Sequence, residues 1–227
     1  MLVTIRRQSD ADAAPYWQSF VYHGSLDTTV AAVLDALNYT DDLYDTEGKS
    51  APRIRWECSC MQKLCGACAM LINGTPALAC GTFLRDLQGD TLTLEPLSKF
   101  PVVADLIVDR SVIEENLRRA CVYLGAYGGA REKEYDHQYL AAKCLKCALC
   151  LEVCPNYLSG REFFGALFAN QTYLVHSQSA DRKAALRGAY NKHFAAGCSK
   201  SLACEKVCPA GISTLSSILK MNAPFRK

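Results

Sequence analysis

Apolar and polar residues alternate strictly along TLTLE (91–95), and LVTIR (2–6) has the β-branched content of a strand. A period of two is what a strand with one buried face requires. WQSFVY (17–22) has the aromatic and β-branched content of a third strand. Between these segments the period lengthens. In TTVAAVLDALNY the apolar residues Val30, Val33, Leu34 and Leu37 fall at i, i+3, i+4 and i+7, one face of a helix, with Asp27 as its expected N-cap. An acidic, polar loop occupies 40–50. Asn73-Gly74, set between AMLI and TPALA, predicts a two-residue hairpin turn. To residue 97 the pattern reads as strands around one helix.

The texture then changes. FPVVADLIVD (100–109) reads as a bridge. SVIEENLRRACVYL, REFFGALFANQTYLVH, DRKAALRGAYNKHF and ISTLSSILK all read as helices, and Gly128-Gly129 interrupts the chain among them. The organisation is α+β: a first domain over 1–97, a linker over 98–110 and a helical domain over 111–227. Half of the 227 residues are hydrophobic, enough for a sizeable core. A net charge of +2 gives no electrostatic footprint for nucleic acid. MLVTIRRQSD has no apolar core of signal-peptide length, so export is not expected. The longest apolar stretch, VVADLIV, is broken by Asp105 and falls far short of the roughly 18 residues of a spanning helix.

Thirteen cysteines change the picture most. An odd count without a secretory signal, in dense C-x2-C runs, points away from disulfides and toward metal. Cys60, Cys65 and Cys68 fit C-x4-C-x2-C, and Cys80 comes after eleven residues, the plant-type spacing for a 2Fe–2S cluster. Zinc is the other reading, but zinc sites usually pair two C-x2-C knuckles and this loop has one. Gly66 and Ala67 let the loop backbone approach the sulfurs. Cys144, Cys147, Cys150 and Cys154, then Pro155, match C-x2-C-x2-C-x3-C-P. In two-cluster ferredoxins the cysteine before proline ligates the other cluster. The stretch CSKSLACEKVCP repeats the run with Cys198, Cys204 and Cys208, but Ser201 stands at the middle position. The crossing rule gives Cys144, Cys147, Cys150 and Cys208 to a 4Fe–4S cluster. It leaves Cys154, Cys198 and Cys204, three thiolates that suit a 3Fe–4S cluster. A hydroxyl is a hard, poor ligand for iron, although a 4Fe–4S cluster held there by serine or water is the competing reading. Cys58 and Cys121 remain, expected to pack or to be spare, Cys121 within a buried helix.

Three one-electron centres in one small chain make a relay rather than a reaction pocket. GAYGGA (125–130) is no dinucleotide fingerprint, since it follows no strand. His23, His137, His176 and His193 are scattered and form no nucleophile motif. No catalytic residue is expected, so donor and acceptor belong on partners. A zinc-stapled interaction module is the non-enzymatic alternative.

CxxxxCGACAMLING…LAC, FPVVADLIVD, CLKCALCLEVCPNY and CSKSLACEKVCPAGI, in this order, resemble the iron–sulfur subunit of the succinate dehydrogenase/fumarate reductase family. The resemblance covers nearly the whole chain. It implies a plant-ferredoxin-like β-grasp domain followed by an all-helical bacterial-ferredoxin-like domain. It implies a flavoprotein partner carrying FAD. It also implies a cytochrome b-type membrane anchor with a quinone and often haem b, and thus a peripheral position on the cytoplasmic face of the cell membrane. Ubiquinone-linked members carry Trp and His where this chain has Ser159 and Ser199, and CPNYLSGREFFGA is more similar to menaquinone-linked members. A subunit wiring another flavoprotein, such as a glycerol-phosphate, glycolate or heterodisulfide-type reductase, is the alternative.

Overall fold

In β1 (Leu2–Arg7) alternation buries Val3, Ile5 and, at the third inward position, Arg7. A guanidinium there must find partners inside the protein, and much of the first unit's layout supplies them. The computed structural model describes residues 1–129 and 132–223; Ala130, the last residue of GAYGGA, and 224–227, the end of the expected helical domain, lie outside them. The chain divides into two compact units, Met1–Asp109 and Arg110–Lys227.

In the first unit β2 (Tyr16–Val21) pairs antiparallel with β1, Leu2 opposite Val21. Helix α1 (Val30–Asn38) buries Val30, Ala31, Val33, Leu34 and Leu37. Its N-cap is Thr29 rather than Asp27: the Thr29 hydroxyl accepts from the Ala32 N–H at 3.2 Å. The helix starts beyond the acidic residue, whose carboxylate is engaged by Arg85 instead. Two short strands, β3 (Leu43–Tyr44) and β4 (Ser50–Ala51), close the polar loop. β5 (Ala69–Ile72) and β6 (Thr75–Leu78) form the expected hairpin, with Asn73 and Gly74 at φ +48° and +73°, the left-handed pair that such a turn needs. β7 (Thr91–Glu95) runs parallel to β1 and completes a sheet of order β2-β1-β7-β5-β6. The mixed sheet and single long helix give the β-grasp arrangement.

Of the linker expected over 98–110, residues 98–109 belong to this unit and carry a small hairpin of β8 (Val102–Ala104) and β9 (Ile107–Val108). Its turn residue, Asp105, has φ +44° and is 3% exposed. Its carboxylate meets Arg7 Nε at 3.0 Å and accepts from the N–H groups of Gln8 and Arg55, each at 2.9 Å. Arg7 also donates to Gln18 Oε1 and to the carbonyls of Pro52 and Arg53. The ion pair therefore joins β1, β2, the hairpin and the segment leading into the first cysteine loop.

The second unit is helical: α2 (Ser111–Arg119), α3 (Tyr135–Ala142), α4 (Leu149–Glu152), α5 (Gly165–Gln178), α6 (Lys183–His193), α7 (Ala203–Lys206) and α8 (Thr214–Asn222). α5 packs against α2, α3, α4, α6 and α8 and is buried on most sides. Its first residue, Gly165 (φ +76°), is required, since a Cβ would lie 2.4 Å from Leu151 of α4. Polar groups inside are chained: His137 meets Ser217 Oγ at 3.0 Å, Ser217 donates to Asn170 Oδ1 at 2.9 Å, and the Asn170 amide donates to the Ala141 carbonyl at 3.0 Å. This links α3, α5 and α8. Contrary to expectation, α2 ends before Cys121, which is exposed at φ +50°. A left-handed residue cannot continue a right-handed helix.

Removing one partner of a buried pair strands the other charge. Asp105→Ala is expected to lower the unfolding free energy of the chain by about 3–5 kcal/mol, read from urea denaturation, whereas Asp12→Ala on the exposed loop should change it by less than about 0.5 kcal/mol.

Candidate metal centres

The cysteine loops are built on left-handed turns. In the first loop Met61, Lys63 and Gly66 have φ of +53°, +61° and +77°. Such turns rotate successive N–H groups to one side, making a concave donor surface for anions. The N–H groups of Gln62 and Leu64 reach Cys60 Sγ at 3.3 Å, that of Lys63 reaches Cys80 Sγ at 3.3 Å, and that of Ala67 reaches Cys65 Sγ at 3.5 Å. Cys68 and Cys80 are 3.4 Å apart at sulfur, because Cys80 sits in the short helical turn that ends β6. The structure thus gathers Cys60, Cys65, Cys68 and Cys80 at one place. Hydrogen bonds from the Gln62 and Leu64 N–H groups pull the Cys60 thiol down to about 7, while burial pushes the Cys68 thiol up to about 12. Cys58 lies near Cys65 but is exposed.

The second and third sites repeat one backbone. Lys146 and Ala148 have φ +52° and +72°; at the same offsets from Cys198, Lys200 and Leu202 have +59° and +58°. Each pair leads into a one-turn helix, α4 or α7, and each helix into a cysteine followed by proline. Ser201 therefore occupies the turn position that Cys147 holds in the first run, so the side chain differs and the local geometry does not. Cys144, Cys147, Cys150 and Cys208 line one small cavity of about 30 Å³ with Leu167 and Ile212. Cys154, Cys198 and Cys204 line another of about 230 Å³, which Ser199 and Ser201 also face. Cys208 thus shares a cavity with the first run and Cys154 with the second. Ser159 is not on that wall.

Burial pushes Cys147 up to about 11, and Cys150 well above its ordinary value. Such thiols ionise only against a strong positive charge, so iron binding there would release protons. Among the described residues no three His, Cys, Asp or Glu side chains converge as the ligands of a single ion do. Thiols spread around cavities suit a multi-iron core, and thiolate is the donor such cores take. One influence is not legible in the sequence: burial pushes the Cys144 thiol up, and the Gln171 side chain of α5 is among the groups that pull it back down. Gln171 belongs to a different element from Cys144 and to a helix with no motif. Of the histidines, His137 belongs to the buried chain already described. His193 stacks on Phe164 with ring centres 4.1 Å apart and faces Glu162 at 3.3 Å, an arrangement of packing.

The family model for a 2Fe-2S iron-sulfur cluster binding domain matches residues 2–115, and that for a 4Fe-4S dicluster domain matches 140–212. The chain is 31% identical to the succinate dehydrogenase iron-sulfur subunit of Bacillus subtilis over 96% of its length and 89% of that protein. It is 31% identical to the fumarate reductase iron-sulfur subunit of Mycobacterium tuberculosis over 94% of its length and 87% of that protein. Among solved structures, a chain of the Mycobacterium smegmatis Sdh1 complex in the apo form shares the fold, with a TM-score of 0.71 at 22% identity, covering 97% of this chain and 92% of that one.

The loop geometry sets Cys60, which accepts from two N–H groups, apart from the exposed Cys58. Cys60→Ala is expected to abolish the reduced 2Fe–2S paramagnetic signal, while Cys58→Ala leaves its intensity at the parent level; loss of the signal in Cys58→Ala would show that the first ligand is misassigned.

Proposed function

The chain belongs to the family of succinate dehydrogenase and fumarate reductase iron–sulfur subunits, and on that premise we propose that it is the electron-relay subunit of a membrane-associated succinate:quinone oxidoreductase or fumarate reductase. It relays single electrons between an FAD-bearing flavoprotein and a quinone held by a cytochrome b-type anchor. Substrate chemistry belongs to the flavoprotein, so the chain itself contributes no catalytic residue. Among the described residues no helix is long and apolar enough to cross a membrane, so attachment to the cytoplasmic face would run through partner subunits, one of which can carry haem b.

The observation that carries the reading is the division of eleven cysteines into three groups. Cys60, Cys65, Cys68 and Cys80 hold the 2Fe–2S cluster. Cys144, Cys147, Cys150 and Cys208 hold the 4Fe–4S cluster. Cys154, Cys198 and Cys204 hold the 3Fe–4S cluster, with Ser201 at the corner that lacks a thiolate. Bound clusters supply one-electron exchange. The protein's own part is to aim N–H donors at sulfur, to exclude water with residues such as Leu167 and Ile212, and to keep thiolate geometry fixed while charge changes. The third cavity is the larger, and Ser199 on its wall stands where ubiquinone-linked members carry His, which favours menaquinone as the acceptor or donor.

The purified complex is expected to contain about nine irons per copy of this chain, the sum implied by the three cluster types, with acid-labile sulfide and with succinate or fumarate turnover on the co-purifying flavoprotein. Zinc in place of iron would end the reading, and a flavoprotein inactive on both acids would reassign its terminals. Ser201→Cys restores the missing thiolate on a backbone already shaped for it. It is expected to convert the third cluster to 4Fe–4S and remove the oxidised three-iron signal; an unchanged signal would count against the ligand division.

A further inference from the structure

Cys154 and Cys208 each open the same turn. Proline follows, and the N–H two residues beyond it closes on the cysteine carbonyl: Tyr157 on Cys154 at 3.3 Å, Gly211 on Cys208 at 3.1 Å. The third residue of the turn is Asn156 in one copy and Ala210 in the other. Both sequences suit the turn, since proline fixes φ at its second position and asparagine is a common turn residue. The copies differ in a side chain that reaches out of the turn. The Asn156 amide donates to the Gly197 carbonyl at 2.5 Å, across 41 residues of chain. Gly197 is the residue before Cys198. The bond therefore joins the turn after the last cysteine of one run to the residue before the first cysteine of the other. The methyl group of Ala210 can make no such bond.

Both ends of the bond are held. Tyr157, next to Asn156, is 1% exposed. Gly197 donates its N–H to the carbonyl of the buried Phe194 at 3.0 Å, and a Cβ on it would lie 2.3 Å from the Phe163 ring. Phe163 and Phe194 stack with ring centres 5.5 Å apart and line the third cavity with Cys154 and Cys198. The two sites also differ in how their first cysteine is presented. Cys144 follows Lys143, whose N–H closes the end of α3, so a helix presents it. Cys198 follows only a short turn over 195–197 after α6. We infer that Asn156 is a positioning residue for the third site: its carboxamide sets the spacing of Cys154 and Cys198 and so holds together a ligand set drawn from two runs. Asn156 is not on the cavity wall, and it acts through the two stretches of backbone it joins. Groups one step behind metal ligands fix the ligands' orientation. Asn156 is exposed, so water competes for the bond. Its effect is read in how long the site keeps its metal rather than in whether the unit folds.

The inference rests on the proposed grouping of Cys154, Cys198 and Cys204 around a 3Fe–4S cluster, and one experiment separates the two. The purified complex is incubated with EDTA, and the paramagnetic signals of the three clusters are followed in time in the parent, Asn156→Ala and Asn156→Asp. If the parent shows no oxidised three-iron signal at the outset, the grouping fails. If it does, that signal is expected to decay several-fold faster in both variants, while the 2Fe–2S and 4Fe–4S signals decay at parent rates. Alanine removes the whole side chain, and Ala210 shows that the turn accepts it. Aspartate keeps the size and turn-forming character of asparagine, but an ionised carboxylate only accepts and cannot bond a carbonyl. A three-iron signal already missing from both fresh variants, beside 2Fe–2S and 4Fe–4S signals of parent intensity, is the same result at its limit. Parent-like decay in both variants overturns the role of Asn156. So does faster decay in Asn156→Ala alone, which places the effect in the turn itself, and so does an equal acceleration of the 4Fe–4S signal, which means a general loosening. Should Asn156→Asp fail to assemble, Asn156→Leu, of similar size and without a donor, carries the same expectation and the same overturning result.

Discussion

Thiolates crowded around a small core repel one another, and in this chain the backbone answers that repulsion. In the first loop, with Met61, Lys63 and Gly66 at positive φ, N–H groups reach the sulfurs of Cys60, Cys65 and Cys80, and the pairs Lys146/Ala148 and Lys200/Leu202 repeat the left-handed turns in the other two loops. Side chains other than glycine are strained there, at a cost of order 1–2 kcal/mol per residue. Packing alone gives no reason to concentrate such strain in the cysteine loops; the negative charge those loops must face does. In the second and third loops the turns also dictate the next element of the chain. Each pair ends at the start of a one-turn helix, because a left-handed residue can precede a helix but cannot continue one.

How much of this the sequence discloses depends on the range of the interaction. The β-branched content of 2–6, the alternation in 91–95, the Asn73-Gly74 turn and the stripe on α1 are local, and they appear as read. The cysteine spacings are local too, and the cavity linings place Cys208 with the first run and Cys154 with the second, because the two runs pack through α4 and α7. The illegible part is long-range. Asp105 reads as a polar break in a linker, but 97 residues separate it from Gln8, whose N–H it accepts. α3 carries no apolar stripe: the inward residues on it are Gln138 and Ala141, so the pattern holds no signal. Asp27 has the residue type of a cap, yet Thr29 has the extended backbone (φ −91°, ψ 157°) that a cap requires. The apolar neighbours of Cys121 argue for a helix, and its own positive φ puts it outside one.

The exchange of cysteines has a consequence for assembly. On the proposed ligand division neither the second nor the third site would be completed by one run: Cys208 shares a cavity with Cys144, and Cys198 and Cys204 share one with Cys154. Closing a loop of that length is entropically unfavourable, though the cost grows only slowly with length. α5 bridges the gap. It packs on α4 of the first run and on α8, beyond the second, and its Asn170 joins the α3 backbone to Ser217 of α8. Helix packing thus brings the runs together by apolar burial, and the cysteines of both runs are positioned by that packing. Burial pushes the Cys147 and Cys150 thiols up, so iron bound there would have to displace their protons, and its binding would be linked to the folding of this unit.

The first unit solves the same problem with an ion pair in place of helices. Its cysteine loop hangs from the segment through Pro52, Arg53 and Arg55, which has little regular structure to hold it. Arg7 takes the two carbonyls and Asp105 takes the Arg55 N–H, at 3.0, 3.2 and 2.9 Å. A buried ion pair is seldom the most stable filling for a core, and apolar side chains of similar volume often do as well or better. Leucine at these two positions could fill the space, but it could not grip three backbone groups on an irregular segment. The charge here therefore secures geometry more than stability: it anchors the approach to the loop that gathers Cys60, Cys65, Cys68 and Cys80.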